Sequence, residues 1–150
     1  MPGRYARLER LLVNYYGVLQ SLHILALVVS GLWWFQNGDL GVLALPPQGG
    51  WAAQSVHFLA ATGMFDLVIA ACAIFFVLRY REGHASAGIL GAVALTGSVY
   101  SAVIYLYGTL RSGAWSAHLI AYSIIAVVFA PMVLLAVVFL YRRLPGDTIS

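Results

Sequence analysis

The sequence predicts an all-α integral membrane protein: a four-helix up-down-up-down bundle with both termini cytoplasmic. Three observations predict it. Of 150 residues, 62% are hydrophobic and only 9% charged, where a soluble domain runs about 45–50% apolar and about 25% charged. The charges fall in short clusters, leaving 11–38, 67–78, 83–110 and 112–141 without Asp, Glu, Lys or Arg. The positive residues, all arginine, then sort almost wholly to one side of the spans those windows define. The composition excludes a soluble enzyme, a disordered tail and a nucleic-acid-binding module, and makes the lipid bilayer the first partner.

A spanning helix needs about 20 mostly apolar residues. Four spans fit one transmembrane domain over 1–150, at about 11–35, 52–78, 87–107 and 115–140. Backbone polar groups in hydrocarbon must be paired within the segment, which makes helices the default. Barrel strands would be about 10 residues long with strict alternation, and these windows are too long and continuous for that.

Span one follows Arg4, Arg7 and Arg10 and ends in Trp33-Trp34-Phe35. At about 25 apolar residues it exceeds the about 7–15 of a signal-peptide core, so it reads as a retained span. The connection 36–50 carries the turn pairs Asn37-Gly38, Pro46-Pro47 and Gly49-Gly50. Span two ends in Leu78-Arg79-Tyr80-Arg81. Span three carries Gly88, Gly91, Ala94, Gly97 and Ser101. Gly97 and Ser101 form a small-xxx-small pair that lets helices approach closely. Span four contains Pro131, which should kink it and leave a carbonyl for a neighbour to satisfy. Spans two and four open alike, with Trp51 then His57-Phe58-Leu59-Ala60, and Trp115 then His118-Leu119-Ile120-Ala121. They form a weak repeat.

The short connections 80–86 and 108–114 make consecutive spans antiparallel neighbours. Seven arginines then lie on one side with Glu9, Glu82 and Asp147, and only Arg111 lies with Asp39 on the other. The positive-inside rule makes the seven-arginine side cytoplasmic and the protein a multi-pass component of the cell membrane. Trp33, Trp34, Trp51, Trp115, Tyr105 and Tyr107 mark the outer interface. Tyr5, Tyr15, Tyr16, Tyr80 and Tyr141 mark the inner one. The single Cys72 excludes an internal disulfide.

Asp66, His23, His57 and His118 are the acidic and basic residues within the spans, and such residues are functional hypotheses by default. At 1.5 Å per residue, His23 and Asp66 both lie roughly 20 Å from the inner arginines, and His57 and His118 about 33–36 Å. His57 and Asp66, nine residues apart, point to opposite sides of a straight helix. Asp66 shares its side with Ser55, Thr62, Gly63, Ala70 and Ala73, and His23 shares its side with Tyr16, Gln20, Ser30 and Trp34. These small, polar faces are the ones that pack.

The first expectation is a His23–Asp66 pair at mid-membrane, able to exchange a proton, hold an ion or polar substrate group, or simply lock two helices together. The second is a haem b held by His57 and His118 as axial ligands, with Trp33, Trp34 and Tyr105 as aromatic neighbours; no other metal is expected. Together they describe a membrane-embedded subunit or accessory protein of a redox complex handling haem b or quinone. It would lack catalytic activity of its own, and other membrane subunits or a second copy would be its partners. The alternatives are a small proton-coupled transporter using His23 and Asp66, and a purely structural assembly subunit.

Overall fold

The computed structural model describes residues 2–41 and 44–142, with side chains from Ala6 onward. Arg143 and Asp147, assigned above to the inner side, lie outside the described residues, as do the side chains of Arg4 and Tyr5. The described chain is all-helical: α1 (Pro2–Asn37), α2 (Ala53–Arg81), α3 (Ala87–Arg111), α4 (Ala114–Ala117) and α5 (Leu119–Tyr141). Four of these, all but the one-turn α4, are long and apolar enough to cross a bilayer, which marks a multi-pass membrane protein.

Each long helix has local causes. α2 stops where Gly83, at φ +67°, takes the left-handed conformation that a side chain would resist. His84 N–H then donates to Arg79 O at 2.9 Å and Gly83 N–H to Tyr80 O at 3.1 Å, the two bonds of a Schellman stop. The fourth span, expected as one helix from residue 115, is instead divided. His118 stands at φ −137°, ψ 44° between α4 and α5. Its Nε2 lies 3.0 Å from Pro46 O in the outer connection. The helix yields where a side chain is drawn to a carbonyl 72 residues away. His57, its counterpart in the weak repeat, sits within an unbroken α2.

Pro131 lies within α5 without ending it. The missing N–H frees the carbonyl of Val127. One residue on, Tyr15 of α1 donates to Val128 O at 2.7 Å, so α1 supplies a bond beside the defect.

α1 packs on α2 and α5, and α3 packs on α2 and α5; α2 and α5 make no backbone approach to each other, nor do α1 and α3. α2 and α3 share the most extensive interface. There the hydrogen of Gly97 faces Ile69, and a methyl group would stand 2.6 Å from Ile69 Cδ1.

At the arginine-rich end the bundle is solid. Val13, Tyr16, Ala73, Phe76, Leu95, Met132, Leu135 and Phe139 form its buried core. Phe76 meets Phe139 at 5.1 Å and Tyr80 at 5.9 Å, both edge-on. Tyr16, read from the sequence as an interfacial aromatic, is fully buried here. Its phenol reaches diagonally across the bundle to Ser98 and Ala94 of α3, which satisfies its hydroxyl away from water.

Glu9 is buried and pairs with the half-exposed Arg142, and Arg81 donates twice to Asn14. Arg142→Ala is expected to destabilise the protein more than Glu9→Gln, by a difference on the order of 1 kcal/mol. Removing the arginine leaves a carboxylate buried without a counter-ion, whereas a widowed Arg142 can turn to water. Equal losses in detergent unfolding of the two variants would contradict this.

Candidate functional site

Beyond that core the helices part around a cavity of about 400 Å³, within the range of about 300–1,000 Å³ of small-molecule sites. Its walls are mostly apolar, built from Leu27, Leu59, Ile69, Ile125, Phe129 and Met132 among others. Its polar groups are few and come from three helices: Gln20, His23 and Ser30 of α1, Thr62 and Asp66 of α2, and Ser98, Ser101 and Tyr105 of α3. Helical periodicity supplies them. Gln20, His23, Leu27 and Ser30 recur at three- and four-residue spacing, as do Leu59, Thr62, Asp66 and Ile69.

His23 and Asp66 line this cavity together, with no hydrogen bond between them. Asp66 also neighbours Ser101. The Ser101 hydroxyl is sealed from solvent and closes no hydrogen bond of normal length, and only 5% of the residue is exposed. Its polar neighbour is the Asp66 carboxyl, which lines the same cavity. Ser98, in contrast, is saturated: it shares a 2.7 Å hydrogen bond with Tyr16 and accepts from Gln20 at 3.2 Å. The Tyr16–Ser98–Gln20 chain forms a rigid polar floor. Below it, Phe76 and Phe139 close the bundle.

The described parts of the outer connection form the roof. Leu40 and Ala44 line the cavity from above. Asp39 ties the start of this segment, accepting from Trp33 Nε1 at 2.8 Å and from Gly41 N–H at 2.7 Å. Tyr122, stacked on Trp115 at 5.5 Å, donates to Leu45 O at 2.8 Å and reaches Ala44 O at 3.3 Å. Leu45 holds a left-handed backbone at φ +48°, a strained position for a leucine fixed by that bond. Trp33 therefore serves the roof. Tyr105 faces the cavity and sits 6.3 Å from Tyr122. Trp34, half-buried, is not among the lining residues.

The proposed haem ligands are placed differently. His57 is exposed on α2 and does not line the cavity. His118 Nε2, facing a carbonyl, must carry the proton and donate it, so that nitrogen has no lone pair for iron. With His57 outside the cavity and His118 Nε2 engaged by Pro46 O, these residues do not fit a bis-histidine haem between the helices. Among the described residues, no group of three or more His, Cys, Asp or Glu is placed to hold a metal ion.

The sequence reading missed the Ser98 and Gln20 floor bonds, the buried Ser101 hydroxyl and the roof. Gln20 and Ser98 carried a signal, since both share a level or face with His23 and Asp66. The roof carried none beyond its turn residues. No family model, curated protein or solved structure matches the chain.

Proposed function

We propose that this chain is a membrane-embedded subunit or accessory protein that binds an amphipathic molecule of the quinone class in the cavity between its helices. The observation that carries this reading is the cavity itself. Apolar walls gather around the Asp66 carboxyl, the His23 imidazole and the Ser101 hydroxyl. A quinone ring matches that lining. Its faces are apolar and its two oxygens accept hydrogen bonds, or donate them as a quinol. Ser101 and the N–H of His23 donate to a carbonyl oxygen; Asp66 accepts from a quinol hydroxyl. The pair can thus exchange a proton with the ligand at mid-membrane.

In this reading the helices run up-down-up-down in the cell membrane with both termini cytoplasmic. The clustering of Glu9, Arg142, Asn14 and Arg81 at one end supports it, as does the excess of arginine there. Other membrane subunits or a second copy complete the assembly. The same pair could serve a proton-coupled transporter, but the rings packed below Tyr16 make the cavity one-ended, which favours binding over passage.

The test is a titration of the purified protein in lipid nanodiscs with decylubiquinone, read by quenching of its four tryptophans. Saturable quenching at micromolar ligand is expected. Quenching that rises without limit, as in empty discs plus free tryptophan, would remove the proposal.

A further inference from the structure

The cavity is roofed by the outer connection and floored by the Tyr16–Ser98–Gln20 chain, yet it is not closed at the side. Leu22 and Ile124 both line it, and both are open to the surroundings, at 61% and 58% exposure. Ala26, one turn from Leu22, is likewise both lining and exposed. These residues lie on α1 and α5. At 100° per residue, Leu22 and Ala26 point towards the side of α1 that carries Tyr15, whose phenol bonds α5. Gly17, packed on Val77 of α2, faces the other way. The open side is therefore the α1–α5 seam.

That seam is tied at the arginine-rich end and at the near edge of the cavity, which Val128 lines. Glu9–Arg142 and Tyr15–Val128 O cross it there. At the other end, Tyr122 and His118 of the fourth span bind the connection that follows α1. Between the two sets of ties lies a gap edged by Leu22, Ala26 and Ile124.

We infer that this gap is a lateral window to the bilayer core, through which a tailed, lipid-soluble ligand reaches the cavity and in which its tail stays. The inference rests on the quinone-binding reading and narrows it. The ring sits against His23, Asp66 and Ser101, and the hydrocarbon tail leaves between Leu22 and Ile124 into lipid. A molecule dissolved in the bilayer meets an opening with apolar edges.

The experiment compares decylubiquinone with the tailless 2,3-dimethoxy-5-methyl-1,4-benzoquinone in nanodiscs, on wild type, Ala26→Trp and the milder Ala26→Leu. Val127→Trp, on the lipid-facing side of α5 at 72% exposure, controls for adding an indole to the surface. Decylubiquinone should bind Ala26→Trp at least tenfold more weakly than wild type and Ala26→Leu to an intermediate degree, while the tailless quinone changes by less than threefold. Undiminished decylubiquinone binding in both Ala26 variants overturns the window and leaves the quinone site standing. Equal weakening for both quinones also overturns it, because the substitution would then act on the ring site. If wild type binds neither quinone, the site and its window fall together.

Discussion

Asp66→Asn should weaken decylubiquinone binding by tenfold or more while leaving the empty protein as stable as wild type, or more so. The two effects have separate causes. Asparagine keeps the shape of the side chain, so the wall between Thr62 and Ile69 is preserved. What is lost is a carboxyl group, able to take up or release a proton, beside His23 and Ser101. Hydrogen bonds to charged groups contribute about 1.5–3 kcal/mol, and each 1.4 kcal/mol is about tenfold in affinity. Without ligand, the carboxylate has no arginine partner, and burying such a charge is costly. Replacing it by an amide removes that cost. Binding in nanodiscs and thermal unfolding in detergent, measured on the same preparations, read the two effects apart. If binding survives and stability falls, Asp66 only locks α1 to α2, and the assembly-subunit reading takes over.

The second large effect is expected at Gly91. A methyl group there would stand 2.5 Å from Phe139 Cε1 and Cζ and 2.7 Å from Phe76 Cε2. Neither ring has room to retreat, since both are at most 1% exposed and they pack edge-on against each other. Overpacking of this kind costs about 1–3 kcal/mol, against about 1 kcal/mol gained by replacing glycine with alanine in a helix. Gly91→Ala should therefore be net destabilising, and Gly91→Val much more so. Gly31→Ala is the contrast. Nothing lies within 4 Å of a methyl group there, so only the backbone gain remains and the variant should be neutral to stabilised. Denaturation in mixed micelles gives the comparison. Equal behaviour of the two alanine variants would mean that the ring cluster is looser than described.

Much of the site was legible one helix at a time. Asp66 and His57 separate by nine residues, and the 100° step alone put them on opposite sides; Asp66 lines the cavity and His57 is exposed. His23, Gln20 and Ser30 share a face by the same arithmetic. Tyr16, on that face too, was misplaced at the interface, because a tyrosine near an arginine cluster has the same local signature whether it meets headgroups or a serine on another helix. The break at His118 was invisible because its partner, Pro46 O, comes from a connection 72 residues earlier. The roof and the buried Ser101 hydroxyl depend likewise on contacts between distant segments.

The sequence by itself determined that four stretches can cross a bilayer and that one carboxylate stands among them. Bilayer thickness and the cost of buried charge act on local windows of residues, and a window can be read without its neighbours. The tertiary structure alone decided which faces meet, where the bundle is solid and where it opens. Lipid tails are as apolar as leucine, so burying an apolar face against protein has little hydrophobic advantage over leaving it in lipid. Shape and hydrogen bonding make that choice. Gly91 admitting two rings, Tyr15 and Glu9 tying α5, and Leu22 left facing an open seam are all matters of fit between helices, which composition and periodicity do not encode.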